Sequence, residues 1–194
     1  MKKLFFLLLI TFFSVSAFSQ KKFIGFDSAL TTALPFYSDE KIQEYNKNVS
    51  DSPNRIVIGL EAAIKFNILT QLKLFLASSV QSDFNWNADE YSNHIDYDFS
   101  FGVKIYPNLY GFNFSIAYLI GQRADFINNP INIKETLLSA WGNGLKLSLG
   151  YDFHHNSQFD CLPSLGFYYK FVPRGNENYD NYLGFFIGLA YQQL

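Results

Sequence analysis

Residues Arg55 to Ile68 read RIVIGLEAAIKFNI. Ile56, Ile58, Leu60, Ala62, Ile64, Phe66 and Ile68 fall on one face of an extended chain, and Arg55, Glu61, Lys65 and Asn67 fall on the other. A period of two is the signature of a β-strand. Charges in mid-strand restrict the packing to two forms. Either the charged face meets water and the apolar face is the core, or the sheet closes with its charges inside and its apolar side outside.

The same alternation recurs in eight stretches, at roughly 22–34, 55–68, 71–81, 95–106, 110–122, 144–153, 159–172 and 182–192. In register, the apolar positions are the even numbers of 24–34, 56–68, 72–80 and 110–120, and the odd numbers of 95–105, 145–153, 159–171 and 183–191. None of these is Asp, Glu, Lys or Arg. The opposite faces carry Asp27, Glu61, Asp96, Asp98, Asp152 and Asp160 against Lys65, Lys73, Lys104, Lys146 and Lys170, with Arg55 and Arg123 at strand ends. Gly59, Gly102, Gly121, Gly150 and Gly166 also lie there, where a water-facing surface favours longer side chains. Small residues mixed with near-balanced charges suit the interior of a narrow barrel, whose eight strands leave room only for side chains.

Connection lengths support closure. The gaps at 35–54, 82–94, 123–143 and 173–181 are long and polar, whereas 69–70, 107–109 and 154–158 are short. Long loops at one end and tight turns at the other are the layout of an all-β, eight-stranded antiparallel up-and-down transmembrane β-barrel. Aromatic residues make up 19% of the chain, with 22 Phe and 13 Tyr. Phe66, Tyr110, Phe112, Tyr151, Phe153, Phe159 and Tyr191 are expected beside the short turns, and Tyr97, Tyr118, Trp141, Phe171 and Tyr182 near the long loops, as two interfacial girdles.

The chain starts with Lys2 and Lys3, an apolar run from Leu4 to Phe13, and small residues at Ala17 and Ser19. That order reads as a signal peptide over 1–19, too short to span a bilayer, with the barrel domain over 20–194. Cys161 is the only cysteine, so an intrachain disulfide is excluded and closure and packing must hold the fold. The net charge of −2 gives no reason to expect nucleic acid as a partner.

On these strands, faces and loops, the sequence resembles the small eight-stranded outer-membrane β-barrel family, which includes the OmpA-type membrane domain. The Ser19-Gln20 junction and the Phe, Tyr, Asn and Lys usage look like those of a Bacteroidetes-type barrel. The resemblance implies export, insertion by the barrel-assembly machinery, and a place in the cell outer membrane among lipids and lipopolysaccharide, with the loops outside. Two features depart from the family pattern. The chain ends Tyr191-Gln192-Gln193-Leu194 instead of on an aromatic residue, and Pro163 interrupts the seventh strand, where a bulge near Leu162 is expected.

Chemistry is sparse, and the expectation is a non-enzymatic protein with no catalytic, cofactor or metal site. His94, with Asp96, Asp98 and nearby serines, is a candidate for a lipid acylhydrolase or acyltransferase centre, which needs an activated hydroxyl. A lumen hydrogen-bonding role is the simpler reading. Adjacent His154 and His155 point to opposite sides of an extended chain, a poor arrangement for one metal ion. Asp96 and Asp98 share a face, and ion pairing with Arg123 or Lys104 accounts for them. Lys65 and Lys73 face each other across a hairpin in this register and need Asp27 or Glu61 from across the lumen. The acids of the gaps, Asp39, Glu40, Glu44, Asp51, Asp83, Asp89, Glu90, Asp125, Glu135, Glu177 and Asp180, are expected to form an acidic rim. A soluble lipocalin-like barrel, apolar inside, is the other alternative.

Overall fold

In the computed structural model, described for residues 24–49, 54–87, 90–107, 110–128, 134–153 and 161–191, nearly every residue belongs to one antiparallel sheet. The strands are β1 (Ile24–Tyr37), β2 (Asn54–Leu69), β3 (Leu72–Asn87), β4 (Glu90–Ile105), β5 (Phe112–Asn128), β6 (Lys134–Leu138), β7 (Gly142–Asp152), β8 (Cys161–Gly175) and β9 (Asn178–Tyr191). One helix, α1 (Glu40–Asn48), joins β1 to β2. Each strand pairs with its sequence neighbour, and β1 pairs with β9 to close the sheet. β6 and β7 pair with the upper and lower parts of β5 respectively, so together they form one interrupted sixth strand. The result is a closed eight-stranded antiparallel barrel.

The faces follow the sequence parity. Leu30, Leu60, Leu76, Phe101, Ile120, Leu149, Phe167 and Ile187 all point outward and are exposed; Leu60 is 64% accessible. Lys65, Lys73, Asp96, Asp98, Asp152 and Lys170 point inward and are buried. This is the inverse of a lipocalin-type interior, so the apolar-inside alternative is excluded. Glycines on the inner face make space for rings: a Cβ on Gly184 would lie 2.3 Å from the Tyr168 ring, and one on Gly102 2.6 Å from the Phe75 ring.

The gaps, by contrast, are largely strand. β3 and β4 run up to an Asn87–Glu90 pairing, and β8 and β9 to a turn in which Gly175, Asn176 and Glu177 all have positive φ. Polar composition hid these extensions, because above the apolar band both faces of a strand can be polar. The first gap holds α1. Asp39 caps it by accepting the Lys41 N–H at 3.0 Å, with Glu40 in the first turn and Lys47 in the last. Asp39 as cap and the Ile42, Tyr45 and Val49 spacing were available signals for this helix.

Pro163 produces no bulge. It pairs in register with Leu189, and its carbonyl accepts the Phe153 N–H at 2.8 Å where the β7 ladder ends, so its missing donor falls beyond that ladder. The register shift of this hairpin lies instead between Pro173 and Gly175. Two aromatics also leave the expected girdle. Tyr182 points inward and is buried, and Tyr118 sits opposite Phe101, in mid-wall. The proposed leader, His154, His155, Phe159 and Asp160 lie outside the described residues.

Candidate functional site

The site this fold builds is its lumen, which is filled from end to end by three ionic layers. At the end where β1 begins and β9 finishes, Asp27 on β1 pairs with Lys65 on β2 and lies 3.7 Å from Lys104 on β4. Lys104 binds Asp152 at 3.0 Å, and the Tyr106 hydroxyl donates to the same carboxylate at 2.6 Å. Lys73 stands directly across the ladder from Lys104, not from Lys65, because the β2–β3 register sets Lys73 against Asn67 and Lys65 against Phe75. Both lysines meet the Tyr106 ring, with Nζ 4.7 Å and 5.5 Å from its centroid. Each contact is a cation–π attraction that partly offsets the mutual repulsion of the two lysines.

The middle layer is the pair Lys146 on β7 and Glu61 on β2, which spans the barrel. A cavity of about 70 Å³ lies beside it, lined by Asp27, Ser28, Glu61, Lys65, Lys104 and Lys146 among others. Phe75 and Phe186 also line it, so the void mixes apolar wall with charged groups that can hold water.

The upper layer is the largest. Lys170 pairs with Asp96 and Asp98, the latter at 2.8 Å, and Ser79 donates to Asp98. Arg174 joins Asp96 to Asp180, Arg123 joins Asp180 to Asp125, and Arg55 grips Asp83 with two bonds of 2.8 Å. Asp83, Asp125 and Asp180 are therefore not parts of an external rim. They are buried lumen residues, each neutralised by an arginine. The expected pairing of Asp96 and Asp98 with Arg123 or Lys104 is also replaced, since Lys170 and Arg174 reach them from β8.

Helix α1 closes the mouth above this layer. Ile42 is buried in a cluster with Ala33, Tyr37, Tyr168 and Tyr182. Gln43 donates to the Tyr37 carbonyl at 2.8 Å, and Tyr45 donates to Glu135 at 3.0 Å. Desolvation of the Tyr45 hydroxyl and the Glu135 carboxylate push this phenol above its ordinary range.

His94 lies directly beneath the helix. Its Nδ1 is 2.7 Å from Asp125 Oδ1, and its Nε2 is 3.1 Å from Ser92 Oγ and 3.0 Å from Asn46 Oδ1. Ser92, His94 and Asp125 thus stand in the order of a hydrolase triad, with partners that sequence reasoning did not assign to His94. Ser92 is fully buried, the lumen cavity touches none of the three, and Asn46 occupies the nitrogen that would activate the hydroxyl. A nucleophile needs a free base and room for a reacting carbonyl. The arrangement instead ties α1 to the wall. Among the described residues, no group of three or more His, Cys, Asp or Glu side chains is placed to hold a metal ion.

Closed barrel, uncharged wall and ion-filled lumen define a class of small β-barrels with a packed interior. No family model matches this sequence, and no curated protein matches it. Solved structures do. The attachment invasion locus protein Ail of Yersinia pestis is similar over 89% of this chain and 100% of its own, with a TM-score of 0.55 and 8% identity. A second structure of Ail, in complex with the heparin analogue sucrose octasulfate, gives the same score over 87% of this chain and 97% of that one, again at 8% identity. Neisserial surface protein A is similar over 87% of this chain and 96% of its own, with a TM-score of 0.51 and 8% identity. At this identity the likeness carries the fold.

Proposed function

We propose that this chain is a non-enzymatic integral outer-membrane β-barrel, exported by a leader over 1–19 and inserted with α1 and the strand extensions facing outward. The observation that carries the reading is the wall. The outward positions of the apolar band are uncharged around its circumference, whereas the buried charges lie inside, most of them in ion pairs. An uncharged wall with all backbone groups paired by closure is what a hydrocarbon phase demands. Lipids and lipopolysaccharide are then its direct neighbours, and the barrel-assembly machinery its partner during insertion. With three ionic layers across the lumen, the role is envelope support or surface interaction, not diffusion. Polyanion binding is not carried over from Ail, because at 8% identity the likeness carries the fold alone.

Fractionation tests the reading. The protein should be recovered with outer membranes, require detergent, and migrate faster in gels when unheated than when boiled. Recovery as a soluble monomer from a detergent-free periplasmic extract refutes it.

A further inference from the structure

Among the described residues, the lower two layers hold one more cation than carboxylate: Lys65, Lys73, Lys104 and Lys146 face Asp27, Glu61 and Asp152. Lys73 is the one left over. It is 3% exposed, no described carboxylate reaches it at ion-pair distance, and its Nζ rests on the Tyr106 ring that Lys104 also meets. A buried cation without a counter-charge is costly, so an anion lodged nearby is favoured.

The cavity of about 70 Å³ beside Lys146 offers the place. Lys65, Lys104 and Lys146 all line it, and Lys65 Nζ, although next to Asp27, makes no hydrogen bond to a described residue. The hydroxyls of Ser28, Ser115, Ser148 and Ser164 border the same void and add donors. Phe75 and Phe186 supply apolar lining. Asp27 and Glu61 border the void too, each already beside a lysine. Their side chains are 25% and 22% accessible, against 0–3% for the carboxylates of the upper layer, so open space lies at this level of the lumen and the level above is packed.

We propose that this cavity is a binding site for a small monocarboxylate, whose carboxylate meets Lys65, Lys104 and Lys146 and whose short apolar body meets Phe75 and Phe186. Charge and lining together select that class. A neutral molecule leaves the surplus cation uncompensated, and a second cation adds to the surplus. An anion with oxygens on every side, such as phosphate, turns some of them toward Phe75 and Phe186, where they lose their hydrogen bonds. Size sets the upper limit: at roughly 10–15 Å³ of such volume per water, the void takes about five to seven water-sized units, which excludes a long acyl chain. The upper layer closes the lumen above it, so the ligand is held and not passed. The site belongs to the folded barrel in any amphiphile and stands apart from the envelope role.

The test is calorimetric titration of the folded barrel in detergent micelles with sodium propionate, compared at constant ionic strength with propanol, propylammonium chloride and inorganic phosphate. Propionate should bind saturably, one molecule per barrel, with a millimolar or tighter Kd, which is within reach of about five non-hydrogen atoms. The three comparison compounds should bind at least about tenfold more weakly, the scale of one charge-assisted hydrogen bond. Lys65→Met should weaken propionate binding by a similar factor. Ser148→Val, which fills part of the void and leaves every charge in place, should weaken it as well. Absence of saturable propionate binding, a comparison compound that binds as tightly, or propionate binding unchanged in either variant would overturn the proposal. If Lys65→Met does not fold, Ser148→Val alone decides.

Discussion

Asp96 and Arg123 are direct neighbours across the β4–β5 ladder, yet Arg123 reaches past Asp96 to Asp180 on β9, and Asp96 is held by Lys170 and Arg174 from β8. Neighbouring inward side chains leave the wall roughly parallel, so a long guanidinium extends over the lumen and meets the far side. Several ion pairs in this barrel therefore tie strands that share no ladder, as Glu61 on β2 and Lys146 on β7 also do, beside others such as Asp27–Lys65 that join neighbours.

Arg123→Met should be among the most damaging lumen changes. It leaves Asp125 with His94 alone and Asp180 with Arg174 alone, in surroundings where Arg123 is 2% exposed. Breaking a buried pair costs about 3–5 kcal/mol, which urea unfolding of the lipid-reconstituted protein measures. A loss below about 1 kcal/mol would mean that water enters and screens the upper layer.

Leu60→Arg and Phe101→Arg probe the wall. Each should lose roughly 2–4 kcal/mol of folding stability in lipid if it lies near the bilayer midplane, while Ser148→Ala, on the cavity lining, should lose less than about 1 kcal/mol. The same unfolding assay compares them, and equal penalties would contradict the inside-out assignment. Gly59→Ser is a poor inward control, because its Cβ would lie 2.5 Å from Thr31 Oγ1 and 2.7 Å from a backbone oxygen.

Gly142 begins β7 where the sixth strand resumes, and a Cβ there would lie 1.6 Å from the Pro173 carbonyl oxygen. Gly142→Ala should therefore displace β7 from β8 and lower the heat-modifiable fraction in gels, at a cost of at least about 1–3 kcal/mol. A Cβ on Gly184 would lie 2.3 Å from the Tyr168 ring and 2.6 Å from the Thr32 carbonyl oxygen, so Tyr168→Leu in the same chain should restore only part of the loss caused by Gly184→Ala.

Planar-bilayer recordings should show at most small, rare openings, because the layers at Lys104–Asp152, Lys146–Glu61 and Lys170–Asp96 cross the lumen in succession. Steady porin-sized currents would replace the envelope role with transport.

A fluorophosphonate probe should leave Ser92 unlabelled, and Ser92→Ala should leave folding intact. Labelling of Ser92 would turn the Ser92, His94 and Asp125 alignment into a working centre and revive the acylhydrolase alternative.

The sequence alone determined the strand type, the closure and the two sides of the wall. Alternation is a property of the pleat, so parity along Arg55–Ile68 already separates Leu60 from Glu61 and Lys65 without knowledge of any other strand. Tertiary structure decided the partners. Whether Asp96 meets Arg123 or Lys170 depends on strand stagger and barrel diameter, which no local pattern encodes. The same holds for the buried Asp83, Asp125 and Asp180, whose strands continue above the apolar band where alternation fades. His94 gained its meaning last, because Asp125 and Asn46 reach it from a neighbouring strand and a helix that come together only when the barrel closes and α1 folds across its mouth.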